Sequence, residues 1–239
     1  MTTDSAQTGT TPPALAPRAR SPIPGGLLVA VAGAVLLTVT NALVNFGAYS
    51  RATTTADVIT SMGEHQGLYE VTIAVGLVSV VLLVPGIWAV GAVLAVRTPV
   101  LAGIGAWLGA TGYLLSTVLS LESAAALGVA RAVLEDGADP AAYVAGVDQY
   151  APVAMIGVYT LFGLGGLFGF VVLGVAVLRQ AGSRGPLPRW AGWALILSAP
   201  VRMGGLIFGV AAGPPLASLL ITAALLAILL AARRPAVSR

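Results

Sequence analysis

The sequence predicts an all-α fold: an integral membrane bundle of six transmembrane helices, with short helices in its two outer loops. Composition gives the first reason. Of 239 residues, 57% are hydrophobic and only 9% charged, with a mean hydropathy of +0.94. Soluble domains carry roughly 25% charged residues. A chain with so few cannot cover a water-facing surface and must turn most of its outside to lipid. Spacing gives the second reason: apolar residues gather into six runs. Each is near the ~20 residues that a rise of about 1.5 Å per residue needs to cross roughly 30 Å of hydrocarbon. The third reason is that charge sorts by side of such a bundle.

In chain order, residues 1–24 are rich in Thr, Pro, Ala and Ser, and five prolines deny them helical hydrogen bonds, so they read as a disordered tail. The six-span domain covers 25–232, and 233–239 form a basic tail. The first span is expected at about 26–49. The rival reading is a cleaved signal peptide with Arg18 and Arg20 as its basic region. This run exceeds the usual apolar core of about 7–15 residues, and no small-x-small cleavage site follows, so a retained helix is favoured. Residues 50–68 are polar; Thr55 is a candidate cap for a short helix through Met62, with Asp57 in its first turn. The second span is expected at 69–96, with a kink at Pro85-Gly86, and the third at 100–121 after the tight turn Arg97-Thr98-Pro99. Alanine-rich residues 122–134 extend the third helix beyond the membrane until Glu135-Asp136-Gly137-Ala138-Asp139-Pro140 stops it. Asp139 and Pro140 then start a short helix towards Tyr150. The remaining spans are expected at 152–178, 190–210 and 215–232.

Six spans put both termini on one side. All twelve basic residues are arginine, and nine of them fall on that side. Arg51 and Arg131 fall on the other, and Arg202 lies within a span. This bias predicts a cytoplasmic membrane protein with both termini in the cytoplasm. The net charge of +3 is distributed by side and forms no nucleic-acid patch. The absence of cysteine removes disulfides, thiol nucleophiles and cysteine metal sites from consideration.

Small residues four apart recur at Gly105/Gly109, Gly165/Gly169, Gly205/Gly209 and Gly209/Gly213. Lipid is as apolar as leucine, so close backbone approach drives helix association, and these pairs read as packing within the chain rather than as a homodimer face. Arg202 stands apart. Thirteen residues after Arg189, it lies roughly 20 Å from the inner face, in the outer third of the bilayer, beside Pro200. An arginine there costs a few kcal/mol unless it pairs or snorkels. Glu70 and Glu122 lie at the outer ends of their spans and are its candidate carboxylate partners. Asn41 and Asn45, four apart on one face of the first helix, and His65 and Asp148 in the outer approaches complete a candidate outward-facing polar cluster. Arg202 then either locks the bundle or serves a site for an anion, a lipid headgroup or a small ligand. Glu64-His65-Gln66 lacks the second histidine of a zinc motif and reads as a solvated loop. No cofactor and no metal is predicted.

The polar stretch ending Glu64-His65-Gln66, the turn Arg97-Thr98-Pro99 and the opening Leu187-Pro188-Arg189-Trp190-Ala191-Gly192-Trp193 of the fifth span carry a resemblance. The chain resembles a family of small bacterial six-span membrane proteins of uncharacterised function. That resemblance implies the fold and no activity. The expected role is a non-enzymatic binding or accessory membrane protein, whose partners are the bilayer and a lipid, small molecule or membrane protein. Two alternatives stay open: a small secondary transporter, for which Pro85-Gly86 and Pro200 would mark broken helices, and a membrane enzyme using Glu70, Glu122 and His65. Reporter fusions at residues 60, 140 and 239 check the topology: 60 and 140 should read outside and 239 inside, and a cytoplasmic signal at 140 refutes it.

Overall fold

A computed structural model of the chain describes residues 24–47, 54–137, 139, 141, 143–145, 153–181 and 187–233. The expected N-terminal tail up to residue 23, Arg51, most of the second outer-loop helix, the loop 182–186 and the tail from 234 lie outside these residues. Among the described residues, seven helices with assigned bounds carry the fold: α1 Pro24–Phe46, α2 Thr55–Glu64, α3 Gln66–Ala95, α4 Pro99–Asp136, α5 Val153–Ala181, α6 Arg189–Ile207 and α7 Gly213–Ala232. All but α2 are long and apolar enough to cross a bilayer. The chain is therefore a multi-pass, all-α membrane protein, as its composition requires.

The six spans close a ring. Each packs against the next in the chain, and α1 packs against α7, giving the order α1, α3, α4, α5, α6, α7. Glycine sets the closest approaches. A Cβ on Gly169 of α5 would lie 2.3 Å from the Gly109 nitrogen of α4, and one on Gly112 would lie 2.4 Å from the Gly166 nitrogen. The stripes at Gly105/Gly109 and Gly165/Gly169 thus face each other within one chain. The pairs involving Gly209 do not form a helix face. Gly209 adopts φ 64° just past the end of α6, and Val210 N–H reaches back to Gly205 O at 2.8 Å, the left-handed stop that ends the helix at Ile207 rather than 210. Gly205 and Gly213 then touch across the turn.

Neither proline breaks its helix: Pro85 lies inside α3 and Pro200 inside α6. At Pro85-Gly86, within α3, α1 comes close: a Cβ on Gly86 would stand 2.4 Å from Ala30 Cα. Ser79 donates across to Gly33 O of α1 at 2.9 Å.

Packing is uneven along the ring axis. The main apolar core is built from the terminus-side halves of the spans, including Leu27 of α1, Leu94 of α3, Leu173 of α5, Leu195 of α6 and Ile228 of α7. At that end buried Gln180 of α5 donates to Leu94 O at 2.6 Å and Thr98 Oγ1 at 3.1 Å, holding the α3–α4 turn. At the far end α4 continues past its expected membrane exit at 121 to Asp136, where Gly137, at φ 65°, ends it. The overhang carries α2, whose Ile59 and Met62 pack with Tyr69, Leu127 and Ala130 in a second cluster. The cap of α2 is Thr54 rather than Thr55: Asp57 N–H donates to Thr54 Oγ1 at 3.1 Å, and Thr54 N–H to Asp57 Oδ2 at 3.0 Å. This reciprocal box satisfies two otherwise unpaired donors.

If backbone approach sets the ring, Gly169→Leu should destabilise the detergent-solubilised protein by at least about 1–3 kcal/mol through overpacking. Gly163→Ala, whose Cβ would meet nothing within 4 Å, should stay within about 0.5 kcal/mol of wild type. Thermal unfolding followed by circular dichroism compares the two.

Candidate functional site

The site begins at the seam between α1 and α7. Thr38 and Thr222 hydroxyls meet there at 3.2 Å. One turn further out, Asn41 Nδ2 donates to Ser218 Oγ at 2.7 Å and to Leu37 O at 3.0 Å. Arg202, half-buried on α6, donates through one terminal nitrogen to the same Ser218 Oγ at 3.1 Å. Ser218 itself donates to Pro214 O at 3.0 Å. A hydroxyl has one donor and two acceptor positions, so fully buried Ser218 is saturated, and three helices meet on one oxygen. A guanidinium has five N–H donors. Only the one to Ser218 is used, and no carboxylate pairs with Arg202 among the described residues.

Two cavities adjoin Arg202, and both are lined by Asn41, Val44 and Phe162 as well. The first, about 300 Å³, lies inside the far half of the ring, with hydroxyls of Thr40, Thr72, Ser116, Ser120 and Ser123 along its walls. The second, about 270 Å³, lies between α1, α5, α6 and α7 and is apolar apart from Asn41, Asn45 and Arg202. Each is near the small end of the roughly 300–1,000 Å³ range of ligand pockets. Tyr113 stands between them, 1% exposed, with its ring edge-to-face on Phe162 at 6.3 Å and on Phe170 at 5.7 Å. Its hydroxyl is buried without a partner, an arrangement that costs about 1–3 kcal/mol.

Of the residues named from sequence, the structure brings together Arg202, Asn41 and Asn45; Asn45 lines the second cavity and donates to Asn41 O at 2.8 Å. It does not bring in the others. Glu70 pairs with Arg131, which also donates to Gln66 Oε1 at 3.0 Å. Glu122 accepts the Tyr159 hydroxyl. His65, exposed, caps α2 and stands 3.2 Å from Ser61 O through Nδ1. The pairing of Arg202 with Glu70 or Glu122 is therefore replaced by a serine contact, and helical phase is the reason. At about 100° per residue, Glu122 lies roughly a third of a turn around α4 from the face bearing Ser116, Ser120 and Ser123, and Glu70 is similarly offset from Thr72 and Gly76 on α3. Near Glu122, outside the spans, the Tyr143 phenol is pushed above its ordinary range, first by burial and then by that carboxylate.

Sequence reasoning missed Ser218, the orphaned Tyr113 and the hydroxyl wall. The wall leaves a signal, because residues 116, 120 and 123 follow the i, i+4, i+7 spacing of one helix face. Ser218 leaves none, because it matters only once α7 closes against α1. Compared with protein-family models, curated proteins and solved structures, the chain finds no match in any of the three.

Ser218→Ala strips Asn41 and Arg202 of a shared acceptor and should lower stability by about 1–3 kcal/mol. Glu70→Gln removes an exposed pair and should cost about 1 kcal/mol or less. Melting temperatures in detergent test the contrast; equal shifts would mean that the Ser218 junction does not hold the seam.

Proposed function

We propose that the chain is a non-enzymatic ligand-binding protein of the cytoplasmic membrane, with cytoplasmic termini and its Arg202 cavities on the outer side. The observation that carries this reading is a guanidinium that, among the described residues, meets no carboxylate and uses one donor, beside two adjoining cavities. A charge at that depth is costly, and an anion placed against it would recover that cost through charge-assisted hydrogen bonds. The segregation of arginines supports the orientation. In this reading the chain is a bacterial six-span protein of the kind its motifs resemble.

Binding is favoured over transport by the packed apolar core in the terminus-side half and by the unbroken course of α3 and α6. It is favoured over catalysis because His65, Glu70 and Glu122 each hold a different partner rather than converging. Native mass spectrometry after gentle extraction tests the reading. Wild type should carry a reproducible added mass that Arg202→Gln loses. Bare protein in both samples, with the variant merely less stable, would make Arg202 a structural lock and overturn the proposal.

A further inference from the structure

We infer that the ligand is an anionic lipid taken sideways from the bilayer, its headgroup on Arg202 and an apolar chain in the gap between the far halves of α5 and α6. This rests on the ligand-binding reading above and adds the class of ligand and its route.

The gap is a consequence of where glycine interlocks these two helices. Near the termini they are pressed together: a Cβ on Gly174 would lie 2.7 Å from Gly192 O, and one on Gly192 2.7 Å from Leu178 Cγ. Towards the far end no such interlock holds at Gly163 of α5, where a Cβ would meet nothing within 4 Å. The second cavity occupies that space, walled by Phe162, Leu167, Met203 and Leu206. These are surfaces for hydrocarbon rather than for a hydrated solute.

The surroundings of the gap are equally apolar. α6 stops five residues beyond Arg202, and its turn into α7 is Phe208-Gly209-Val210-Ala211-Ala212, with no polar side chain. Ile207 is 68% exposed and Phe208 79%. A turn of this composition belongs in lipid, so the opening beside it faces acyl chains before it faces water. Inside, the character reverses. Past Arg202 the first cavity offers Thr40, Ser116, Ser120 and Ser123, and Tyr113 brings a buried hydroxyl that has no partner. The Tyr113 ring end lies beside Gly166, which lines the apolar cavity; a Cβ there would be 4.0 Å from Tyr113 Cζ. The order from membrane to interior is therefore apolar wall, cation, hydroxyls. That matches a chain, an anionic group and a polyol-like or phosphate-bearing head in the same sequence.

The test uses the full-length protein in detergent, with native mass spectrometry against a phosphatidylglycerol probe, a phosphatidylcholine probe of equal chain length, and inorganic phosphate. Wild type should prefer phosphatidylglycerol over phosphatidylcholine by about tenfold or more, a difference of about 1.4 kcal/mol. Gly163→Trp, on a cavity-lining glycine whose Cβ would meet nothing within 4 Å, and Arg202→Gln should each abolish that preference. Gly157→Trp places the same bulk on α5 outside the cavity and should leave it intact; Gly163→Leu repeats the plug with a smaller side chain should the tryptophan variant fail to fold. Equal retention of the two lipids, or full retention in a folded Gly163 variant, overturns the inference. Arg202-dependent binding of inorganic phosphate without lipid preference overturns it while leaving the binding reading standing. Loss of every Arg202-dependent adduct removes both.

Discussion

Everything at the far end of this bundle depends on how one guanidinium is accommodated about 20 Å into a membrane helix. Neither Glu70 nor Glu122 reaches it: the first pairs with Arg131 and the second accepts the Tyr159 hydroxyl. The solution is a serine hydroxyl whose two acceptor positions serve Arg202 and Asn41, while its own proton goes to Pro214 O. That oxygen joins α1, α6 and α7. It also closes the ring, because α1 and α7 are the first and last spans and no loop ties them together. Interhelical hydrogen bonds in membranes average well under about 2 kcal/mol each, so the seam is held by accumulation: Thr38–Thr222 one turn below, and Asn41–Ser218–Arg202 above.

The rest of the ring has little hydrophobic drive to assemble, since its apolar side chains are as comfortable in lipid as against one another. Contact has to come from shape. Gly105 and Gly112 of α4 and Gly165 and Gly169 of α5 let two backbones approach where a Cβ would collide. The same logic brings Gly86 onto Ala30 and Gly192 onto Gly174. Between α5 and α6 the interlock at Gly174 and Gly192 lies towards the termini, and the cavity lined by Gly163 and Arg202 lies towards the far end.

Much of this was legible in the sequence, and the failures share a cause. The six spans, the extension of the third into an overhang and the α4–α5 glycine contact follow from length, hydropathy and spacing along one chain. Arg202 was also legible as the odd residue. Its partner was not, because reasoning from height along the helices nominated Glu70 and Glu122, whereas contact also requires the right rotation. Both carboxylates stand about a third of a turn off the faces that look inward. Ser218 was invisible for a related reason: a serine in an apolar helix ordinarily bonds back one turn, as this one does to Pro214 O, and only ring closure gives its lone pairs a second use. Gly209 misled in the opposite direction, since small-residue spacing cannot distinguish a packing face from a left-handed helix stop.

The arrangement of the other charges sharpens what Arg202 means. Glu70 is neutralised by Arg131 on the overhang, and Glu122 is held by Tyr159 on α5. Both carboxylates that the sequence nominated for Arg202 thus have their own partners on neighbouring helices. A guanidinium whose purpose was only to tie helices together would be better served by one of those carboxylates than by a neutral serine, since a charge-assisted bidentate pair is stronger and more directional than a single bond to a hydroxyl. The sequence places a neutral oxygen there instead, enough to fix the side chain and too little to satisfy its charge. Such a group is preorganised and under-compensated at once. Beside a hollow lined with hydroxyls, it is the ground on which we propose a binding role for Arg202 rather than a lock.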